Sequence, residues 1–449
     1  MKFRKLLFIT FFSLSFCQYF IVPQRPIFNL LKWEEINSNQ ILIQKVGPLI
    51  NTQYKFSEIA SFYYSDSISA TIINSELYPE VSFDSKDGSR IRLYGTAGIA
   101  LNDKLTIQNE FEFDNRGEYD PHFQGSERQS VPGWVGYLQH SSVNYFYSSG
   151  HLSLGRGNPY LFNMNESLLL NPNFAPAEFI WWQHEIQWFH FDWGILLLNK
   201  IETLNRFLTY HRYSMNKKNL RIGFTEAVIG TYENWGASET GYIMPAAILL
   251  ETEENRGINA NLMWLLDGMI KWNNWTFYGE FLIDDYALDG LSPPQIAGSI
   301  GLGRKFDKAL LNMEYTRINR WTGNYCDPYK IWAEKDVLIG HSMGSNAHQF
   351  LLNSYFPFNN RMAVELSIKW LEIGSGESIE RLKEWPDDVE CDNNFGNNEP
   401  APSEINTTFG GEVNLHYLFQ PNLMVQVKFS GDKKRKPSAD LIVSYKLLD

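Results

Sequence analysis

Residues 340–344, Gly-His-Ser-Met-Gly, form the segment whose residue types and spacing come nearest to a catalytic motif. They match the G-x-S-x-G pattern that, in α/β-hydrolases, places a nucleophilic serine on a sharp turn between a strand and a helix. The apolar residues 337–339 precede the motif as a strand would, but the residues after it alternate like a strand instead of forming a helix. No HGGG-like oxyanion loop occurs, and only His348 and His416 follow as candidate bases. We interpret the motif as a glycine-containing loop or strand start and keep a hydrolase centred on Ser342 as an alternative.

Paired carboxylates are the second kind of candidate. Asp284 and Asp285 follow an apolar run, but adjacent residues of a strand point to opposite faces and do not share a ligand easily. Glu110 and Glu112 do share a face, and the wet lumen of a barrel would explain both without acid–base chemistry. The sequence therefore predicts no metal site and no cofactor.

An aromatic cluster could bind sugars. Arg320, Trp321, Tyr325, Tyr329 and Trp332 lie close together in one long polar segment. Flat aromatic side chains stack on sugar rings, and a neighbouring guanidinium can bind acidic groups. We therefore predict an exposed polysaccharide-binding loop here, with packing of the loop on itself as the alternative.

A compact basic patch is the other candidate binding surface. Lys433, Lys434 and Arg435, followed by Lys436, separate two alternating segments near the end of the chain. Such a patch could contact acidic sugars or the phosphates of lipopolysaccharide. The alternative is an ordinary charged hairpin loop.

The cysteines are few. Cys326 and Cys391 both lie in loop-like sequence, whereas Cys17 lies close to the N-terminus. Two loop cysteines in an oxidising compartment could form a disulfide. Two unrelated free thiols are the alternative.

Composition limits the class of protein to which these residues belong. The chain has 449 residues, 44% of them hydrophobic and 20% charged, which excludes intrinsic disorder. Its formal net charge of −12 provides no basic excess to follow a nucleic-acid backbone. The mean hydropathy is −0.30, and no long apolar run follows the first 20 residues, which excludes a helical membrane protein. A membrane β-barrel stays possible, because alternation dilutes its apolar residues.

The N-terminus predicts export. Lys2, Arg4 and Lys5 precede the apolar residues 6–16, and cleavage after Cys17 would complete a secretory signal peptide. We therefore divide the chain into a signal peptide (1–17), an N-terminal periplasmic segment with short helices (18–85) and a barrel (86–449). The spacing of apolar residues over 56–63 predicts one of those helices.

Period-two alternation dominates after residue 85. Its clearest runs are 104–113, 362–370, 412–419, 423–429 and 441–447. The runs are joined alternately by very short turns and by long polar loops, as an up-and-down outer-membrane barrel requires. At about 20 residues per strand and connection, with about 9–11 in the strand itself, the segment holds about 18 strands. The fold class is therefore all-β, a transmembrane antiparallel barrel with a small helical N-terminal element.

The alternation also predicts which side chains face lipid. One face of these runs is purely apolar, and the other carries ionised or amide groups. The residues predicted to face outward are Met362, Val364, Leu366, Ile368, Val425 and Val427, and those predicted to face inward are Glu365, Lys369 and Gln426.

Several strings are more specific than a generic barrel. They are Leu154-Gly155-Arg156-Gly157, residues 165–171 (NESLLLN), Tyr210-His211-Arg212, residues 220–229 (LRIGFTEAVI), Tyr242-Ile243-Met244-Pro245, residues 278–285 (YGEFLIDD) and Leu338-Ile339-Gly340-His341. In this order and spacing they resemble the Wzi capsule-assembly family of Gram-negative outer membranes. The resemblance covers about residues 85–449. It implies an 18-stranded barrel with a lectin-like outer surface that attaches capsular polysaccharide to the cell.

We therefore expect a monomeric, non-catalytic outer-membrane barrel. Its expected partners are surface or capsular polysaccharide, outer-membrane lipid and lipopolysaccharide. A porin-like channel for sugars or other small solutes is the alternative function. Inward-folded loops and paired charges in the lumen would favour a plugged barrel, whereas an open path would favour transport.

Overall fold

The computed structural model describes most of the chain from Asn74 onward. The described residues are 74–84, 88–100, 104–116, 126–127, 133–158, 166–171, 174–233, 236, 240–245, 247–256, 260–285, 294–306, 309–325, 327–335, 337–359, 362–374, 405–420, 423–432 and 438–447. The signal peptide and the helix predicted over 56–63 lie outside these residues.

Eighteen long antiparallel strands form the wall. They are β1 (Asn74–Asp84), β2 (Gly88–Ala100), β3 (Leu105–Asp114), β4 (Val135–Tyr147), β5 (Gly150–Gly157), β6 (Ala177–Ile186), β7 (Phe189–Ile201), β8 (Leu204–Lys217), β9 (Leu220–Tyr232), β10 (Asn261–Trp272), β11 (Trp275–Asp285), β12 (Gln295–Phe306), β13 (Ala309–Ile318), β14 (Ala347–Asn359), β15 (Met362–Ile373), β16 (Asn406–Gln420), β17 (Leu423–Asp432) and β18 (Ser438–Leu447). Two-residue strands also occur at Ser126–Glu127, Ala333–Glu334 and Val337–Leu338.

The strand pairing closes the wall into a ring. Each strand pairs with the next one along the chain, and β1 pairs with both β2 and β18. The closing register places Leu77 opposite Tyr445 and Val81 opposite Leu441. Closure matters because every wall strand then has two hydrogen-bonding neighbours and no strand edge is left open. The predicted antiparallel barrel of about 18 strands is confirmed.

The two ends of the barrel differ. Connections such as 148–149, 187–188, 218–219 and 273–274 are two-residue turns, and they lie at the end where both β1 begins and β18 ends. The long connections lie at the other end and join β3 to β4, β5 to β6, β9 to β10, β11 to β12, β13 to β14 and β15 to β16. We name these ends the short-turn end and the long-loop end. The predicted asymmetry is confirmed.

The faces of the wall also differ. Along β3, buried positions alternate with partly exposed ones, and the buried set is Thr106, Gln108, Glu110, Glu112 and Asp114. The opposite face of the wall carries exposed apolar side chains in nearly every strand, among them Val143, Ile180, Leu197, Ile222, Leu266, Phe281, Ile300 and Phe409. The inside of the ring is therefore polar and the outside is an apolar band.

The predicted facing of β15 agrees with this division. Its register pairs Glu365 with the buried Asn414, and Leu366 with Val413 on the face of the exposed Phe409. Val364, Leu366 and Ile368 consequently lie on the outer face. Val425 and Val427 pair with Tyr417 and Leu415 of that same face, whereas the side chain of Gln426 lies outside the described set.

The barrel begins earlier than the sequence predicts. The predicted boundary at residue 85 falls one strand too late, because β1 already starts at Asn74 and pairs with both of its neighbours. Pro79 lies in the middle of this strand. Proline removes one ladder donor and argues against a central strand in any reading of the sequence alone.

One long loop covers the outside of the wall instead of the lumen. It contains a 3₁₀ turn (Gly241–Ile243) and helix α1 (Leu249–Arg256), and it packs Tyr242 and Leu249 on the outward residues Phe207 and Val228. The Glu226 carboxylate accepts hydrogen bonds from the Leu249 and Leu250 backbone N–H groups, at 2.7 and 3.1 Å. We call residues 240–245 and 247–256 the external strap. None of the described helices has the length and hydropathy needed to cross a membrane.

The apolar band predicts an asymmetric response to new charge. Ile300→Arg places a charge in mid-strand at a side chain that is 68% exposed. In a bilayer we expect it to lower the free energy of unfolding by about 2–4 kcal/mol. Ser367→Arg on the lumenal face of β15 is the matched control and should cost much less. Denaturant titration in lipid vesicles measures both, and equal losses would contradict the assignment of the faces.

Candidate functional site

Two long loops fold into the lumen at the long-loop end. They connect β5 to β6 and β13 to β14, and we call their described residues within 166–176 and 319–346 the lumenal plug. Plug residues and the inward faces of β6 to β14 share one buried apolar core. On the plug side this core contains Leu168, Leu169, Leu170, Phe174, Ala175, Ile331, Trp332, Ala333, Val337, Leu338, Ile339 and Met343. Because the core joins loops to wall, the plug is a packed structural layer.

Arg206 of β8 holds one plug loop through its backbone. Its Nε donates to the Tyr329 carbonyl at 2.6 Å, and its Nη2 donates to the carbonyls of Ile331 and Ala333 at 2.9 and 2.7 Å. The side chain is fully buried. One guanidinium therefore satisfies three carbonyls of an irregular segment that the lumen would otherwise leave unpaired.

Asn199 and Glu334 extend this anchor. The Asn199 side-chain oxygen accepts from Arg206 Nη1 at 2.7 Å, and its backbone N–H donates to both Glu334 carboxylate oxygens at 3.0 and 2.8 Å. Burial raises the pKa of Glu334, and the Asn199 hydrogen bond and the Arg206 charge oppose that shift only in part. The plug loop is thus held to β7 and β8 by a buried polar network.

Glu280 of β11 holds the other plug loop. One of its carboxylate oxygens accepts from the Ser167 hydroxyl at 3.1 Å and from the Leu168 N–H at 2.8 Å. At the end of the same strand, Asp284 accepts from the Gly323 N–H at 2.7 Å. A single strand therefore positions both loops, with a carboxylate for each.

The two plug loops are also bonded to each other. The Trp332 indole N–H donates to the Leu169 carbonyl, and the Asn171 N–H donates to the Ile339 carbonyl, both at 2.7 Å. The approach is close, since a Cβ at Gly340 would lie 2.4 Å from the Leu168 carbonyl oxygen. Glycine at position 340 is therefore explained by packing between the loops.

Ser342 lacks the partner that a nucleophile requires. Its hydroxyl and its N–H both donate to Glu166 of the other loop, the N–H at 3.0 Å. The Nδ1 atom of His341 accepts from the Met343 N–H at 3.3 Å, and residues from Ala347 onward form strand β14. A Ser–His pair and a helix after the turn are the marks of a hydrolase. The geometry therefore favours the interpretation of this motif as a loop.

Glu166 and His341 both have shifted pKa values. Burial alone would raise the pKa of Glu166, but His341, the Ser342 donors and the Lys369 ammonium together lower it. Burial lowers the pKa of His341, and Glu166 opposes this shift only in part. The Glu166 carboxylate is therefore ionised at neutral pH and joins the two loops as an acceptor.

Paired charges line the lumen beside the plug. Arg212 and Asp267 form a fully buried bidentate ion pair, one of whose contacts measures 2.8 Å. Elsewhere on the inner wall, Asp114 of β3 binds both Arg90 and Arg92 of β2, the latter at 3.5 Å. Within the described residues, no group of three or more histidine, cysteine or acidic side chains is arranged to hold a metal ion.

The predicted aromatic loop is part of the plug. Trp321 and Trp332 are only 5% and 3% exposed, so the expectation that they form an exposed stacking platform is wrong. The physical reason is that their indoles pack in the lumen, where Trp332 also binds the Leu169 carbonyl. Arg320 stacks on the Trp321 ring at 4.8 Å, and Tyr325 lies beside Lys330. Of the five clustered residues, Arg320, Tyr325 and Tyr329 are partly exposed.

The remaining predicted residues lie outside the described part of the chain. These are Cys326 and Cys391 of the predicted disulfide and Lys433, Lys434 and Arg435 of the basic patch. Both stay predictions.

A small cavity lies between plug and wall. Its volume is about 30 Å³, and its lining includes Leu168, Met263, Trp332 and His341. This space accommodates about one or two water molecules and is too small for a sugar ring. A glycan would therefore have to bind elsewhere.

Sequence reasoning missed Arg206 and Glu334 as anchors. Glu166, Ser167, Arg212, Glu226 and Glu280 lie in the strings that resemble the Wzi family, but the sequence analysis assigned them no role. The sequence does indicate that Arg206 is unusual, because it is a charged residue among the apolar inward-facing residues at the start of β8. Its partners, which are backbone carbonyls 123 to 127 residues away, leave no trace in the sequence.

The anchor predicts that Arg206 controls the order of the plug. A hydrogen bond from a charged donor contributes about 1.5–3 kcal/mol, so Arg206→Gln should speed hydrogen exchange in residues 329–334 by at least about tenfold. Arg206→Lys should rescue this only in part, because an ammonium cannot span three carbonyls. Lys335→Gln, an exposed charge in the same loop, is the matched control. Unchanged protection in Arg206→Gln would refute the anchor.

The lowered pKa of Glu166 predicts a pH dependence of the contact between the loops. Its stabilising effect should be complete above its ordinary value of 4.5 and disappear as pH falls through the lower folded value. Hydrogen exchange of residues 338–344, corrected for the intrinsic pH effect, should therefore accelerate in acid. Glu166→Gln should remove this dependence. A dependence of equal size in that variant would assign it to another group.

Comparison with known proteins finds a similar architecture by structure and no match by sequence. No protein-family model matches the chain, and no curated protein sequence matches it significantly. Its structure is similar to that of Wzi from Escherichia coli, described as an outer-membrane protein involved in group 1 capsule assembly and a carbohydrate-binding β-barrel. The TM-score is 0.59 at 10% identity, covering 97% of this chain and 95% of Wzi. The predicted resemblance is confirmed at the level of fold.

A second similar structure has a different description. The outer-membrane protein opdK from Pseudomonas aeruginosa matches with a TM-score of 0.51 at 8% identity, covering 85% of this chain and all of opdK. Both likenesses concern the backbone architecture alone. This chain therefore has the fold of bacterial outer-membrane β-barrels.

Proposed function

We propose that this protein is an outer-membrane barrel that binds and anchors capsular or other surface polysaccharide without catalysis. The observation that carries the proposal is the lumenal plug, whose apolar core and buried anchors join two loops to the inner faces of β6 to β14. A barrel filled in this way is suited to present a rigid surface at its long-loop end. The carbohydrate binding described for Wzi, which has the same fold, supports the same function.

The proposed localisation follows from the outer face. An apolar band on a closed ring suits a bilayer, and the predicted signal peptide of residues 1–17 would direct export. We propose that the protein acts as a monomer, with the long-loop end outside the cell and in contact with lipopolysaccharide.

Arg320 and Tyr325 are the proposed glycan contacts within the plug loop, since both stay partly exposed. Trp321 and Trp332 support them from below as buried packing. Lys433, Lys434 and Arg435 are the second proposed contact surface, for acidic sugars. The exposed pair of Tyr329 and Glu202, whose hydroxyl-to-carboxylate distance is 3.0 Å, lies on the same end of the barrel.

A porin-like channel is the second candidate function. The observation in its favour is the similar architecture of opdK together with the charged lumenal wall. Transport would require an aqueous path past the plug.

A binding measurement tests the first function. Array binding of the refolded barrel to bacterial capsular polysaccharides should detect at least one ligand. Arg320→Gln combined with Tyr325→Ala should weaken it by at least about fivefold, as expected for roughly 1 kcal/mol from the lost Tyr325 stacking contact alone. Lys218→Gln at the short-turn end is the matched control. Binding that involves the basic patch should weaken as salt is raised. Absence of binding to any polysaccharide would contradict the proposal.

Conductance distinguishes the two candidates. In planar bilayers the wild-type barrel should give no steady open state, because the plug narrows the lumen. Arg206→Gln should give openings, since it releases residues 329–334 from the wall. Steady wild-type conductance that sugars block would favour the channel.

A further inference from the structure

Arg304 of β12 is held between two aromatic rings on the outer face of the wall. Its guanidinium carbon lies 4.4 Å from the centroid of Trp275 and 4.5 Å from that of Phe306. The register pairs Arg304 with Trp275, and the side chain is exposed. Among the described residues, no hydrogen bond or ion pair reaches Arg304. Five N–H donors are therefore fixed in direction without an acceptor.

The position of Arg304 is at the margin of the apolar band. It is two positions before Phe306, the last residue of β12, whereas Ile300, four residues deeper on the same face, is 68% exposed. Phe277 and Trp272 are exposed beside it. Aromatic side chains with a basic group at such a margin are typical of the boundary between acyl chains and headgroups.

The surrounding charge is positive. In sequence, residues 215–221, 270–276 and 302–308 contain seven basic residues, Arg304 included, and one acidic residue. The register places Arg221, Lys271 and Lys305 on the lumenal face, so Arg304 is the basic residue of β12 that lies on the outer face. The whole chain, by contrast, carries a formal net charge of −12. This local excess favours an anionic ligand at the short-turn end.

We propose that Arg304 binds the phosphate group of a phospholipid in the leaflet at the short-turn end. A guanidinium presents parallel N–H groups that match phosphate oxygens, and the two rings limit the side-chain freedom that binding would otherwise remove. The ligand is lipid instead of glycan because this end is opposite the long loops. The inference rests on membrane insertion, as proposed above, and does not depend on polysaccharide binding.

Native mass spectrometry of the full barrel tests this site. Phosphatidylglycerol is the probe, and monogalactosyl diacylglycerol, which lacks phosphate, is the comparison lipid. We expect Arg304→Gln to weaken phosphatidylglycerol binding on the order of tenfold, the loss of one charge-assisted contact, and to leave the galactolipid unchanged. Arg304→Lys should retain part of the affinity, and Lys218→Gln, a basic residue at the nearby turn, should retain nearly all of it.

Several outcomes would overturn the proposal. Unchanged binding in Arg304→Gln would do so, and so would an equal loss in Lys218→Gln, which would indicate a diffuse basic rim. An equal loss of the galactolipid would mean that phosphate is not recognised. If Arg304→Gln fails to insert, Trp275→Leu keeps the charge, removes one ring and should weaken phosphatidylglycerol binding selectively. A wild-type barrel that binds this lipid but no polysaccharide would disprove the proposed function and leave the lipid site intact.

Discussion

Closure of the strand ring is the constraint on which the rest of this structure depends. A wall strand in contact with lipid must pair all of its backbone groups with its two neighbours, and the pairing of β1 with β18 completes that condition. Once the ring is closed, strand alternation sends every second side chain inward. The inner wall then collects charges such as Asp114, Arg212 and Glu280, which need partners in a narrow space. The ion pairs and the plug both meet that need.

The plug is stable because wall charges bind loop backbone. Irregular segments inside a lumen carry unpaired N–H and C=O groups, and each costs free energy unless it is bonded. Arg206 satisfies carbonyls of one loop, while Glu280 and Asp284 satisfy N–H groups of both. Cations thus meet carbonyls and carboxylates meet N–H groups. The apolar core around Trp332 then excludes water from these bonds and strengthens them.

The sequence predicts the wall well and the plug poorly, for a physical reason. Strand alternation is a local property, so β3, β15 and the short turns can be read directly, and only a proline in β1 hides a strand. The plug depends on contacts between residues more than 100 positions apart, such as Arg206 with Ala333. An aromatic-rich loop has the same sequence whether its rings face a glycan or a lumen. The sequence therefore predicts correctly that Trp321 and Trp332 lie at the long-loop end. It predicts wrongly that their side chains are exposed.

The external strap lies on the outer side of the wall. Like the plug, it is held by a charged wall residue that hydrogen-bonds to loop backbone. Glu226 lies at an outward position of β9, where a bare carboxylate would face lipid. Helix α1 covers it, and the carboxylate caps the first backbone N–H groups of that helix and also accepts from the Trp264 indole. This carboxylate on the outer face is therefore supplied with donors by a loop and by a neighbouring strand. Because the strap and the plug are both fixed to β8 to β10, this arc is rigid on its two faces, which suits a surface that presents long loops in a constant arrangement.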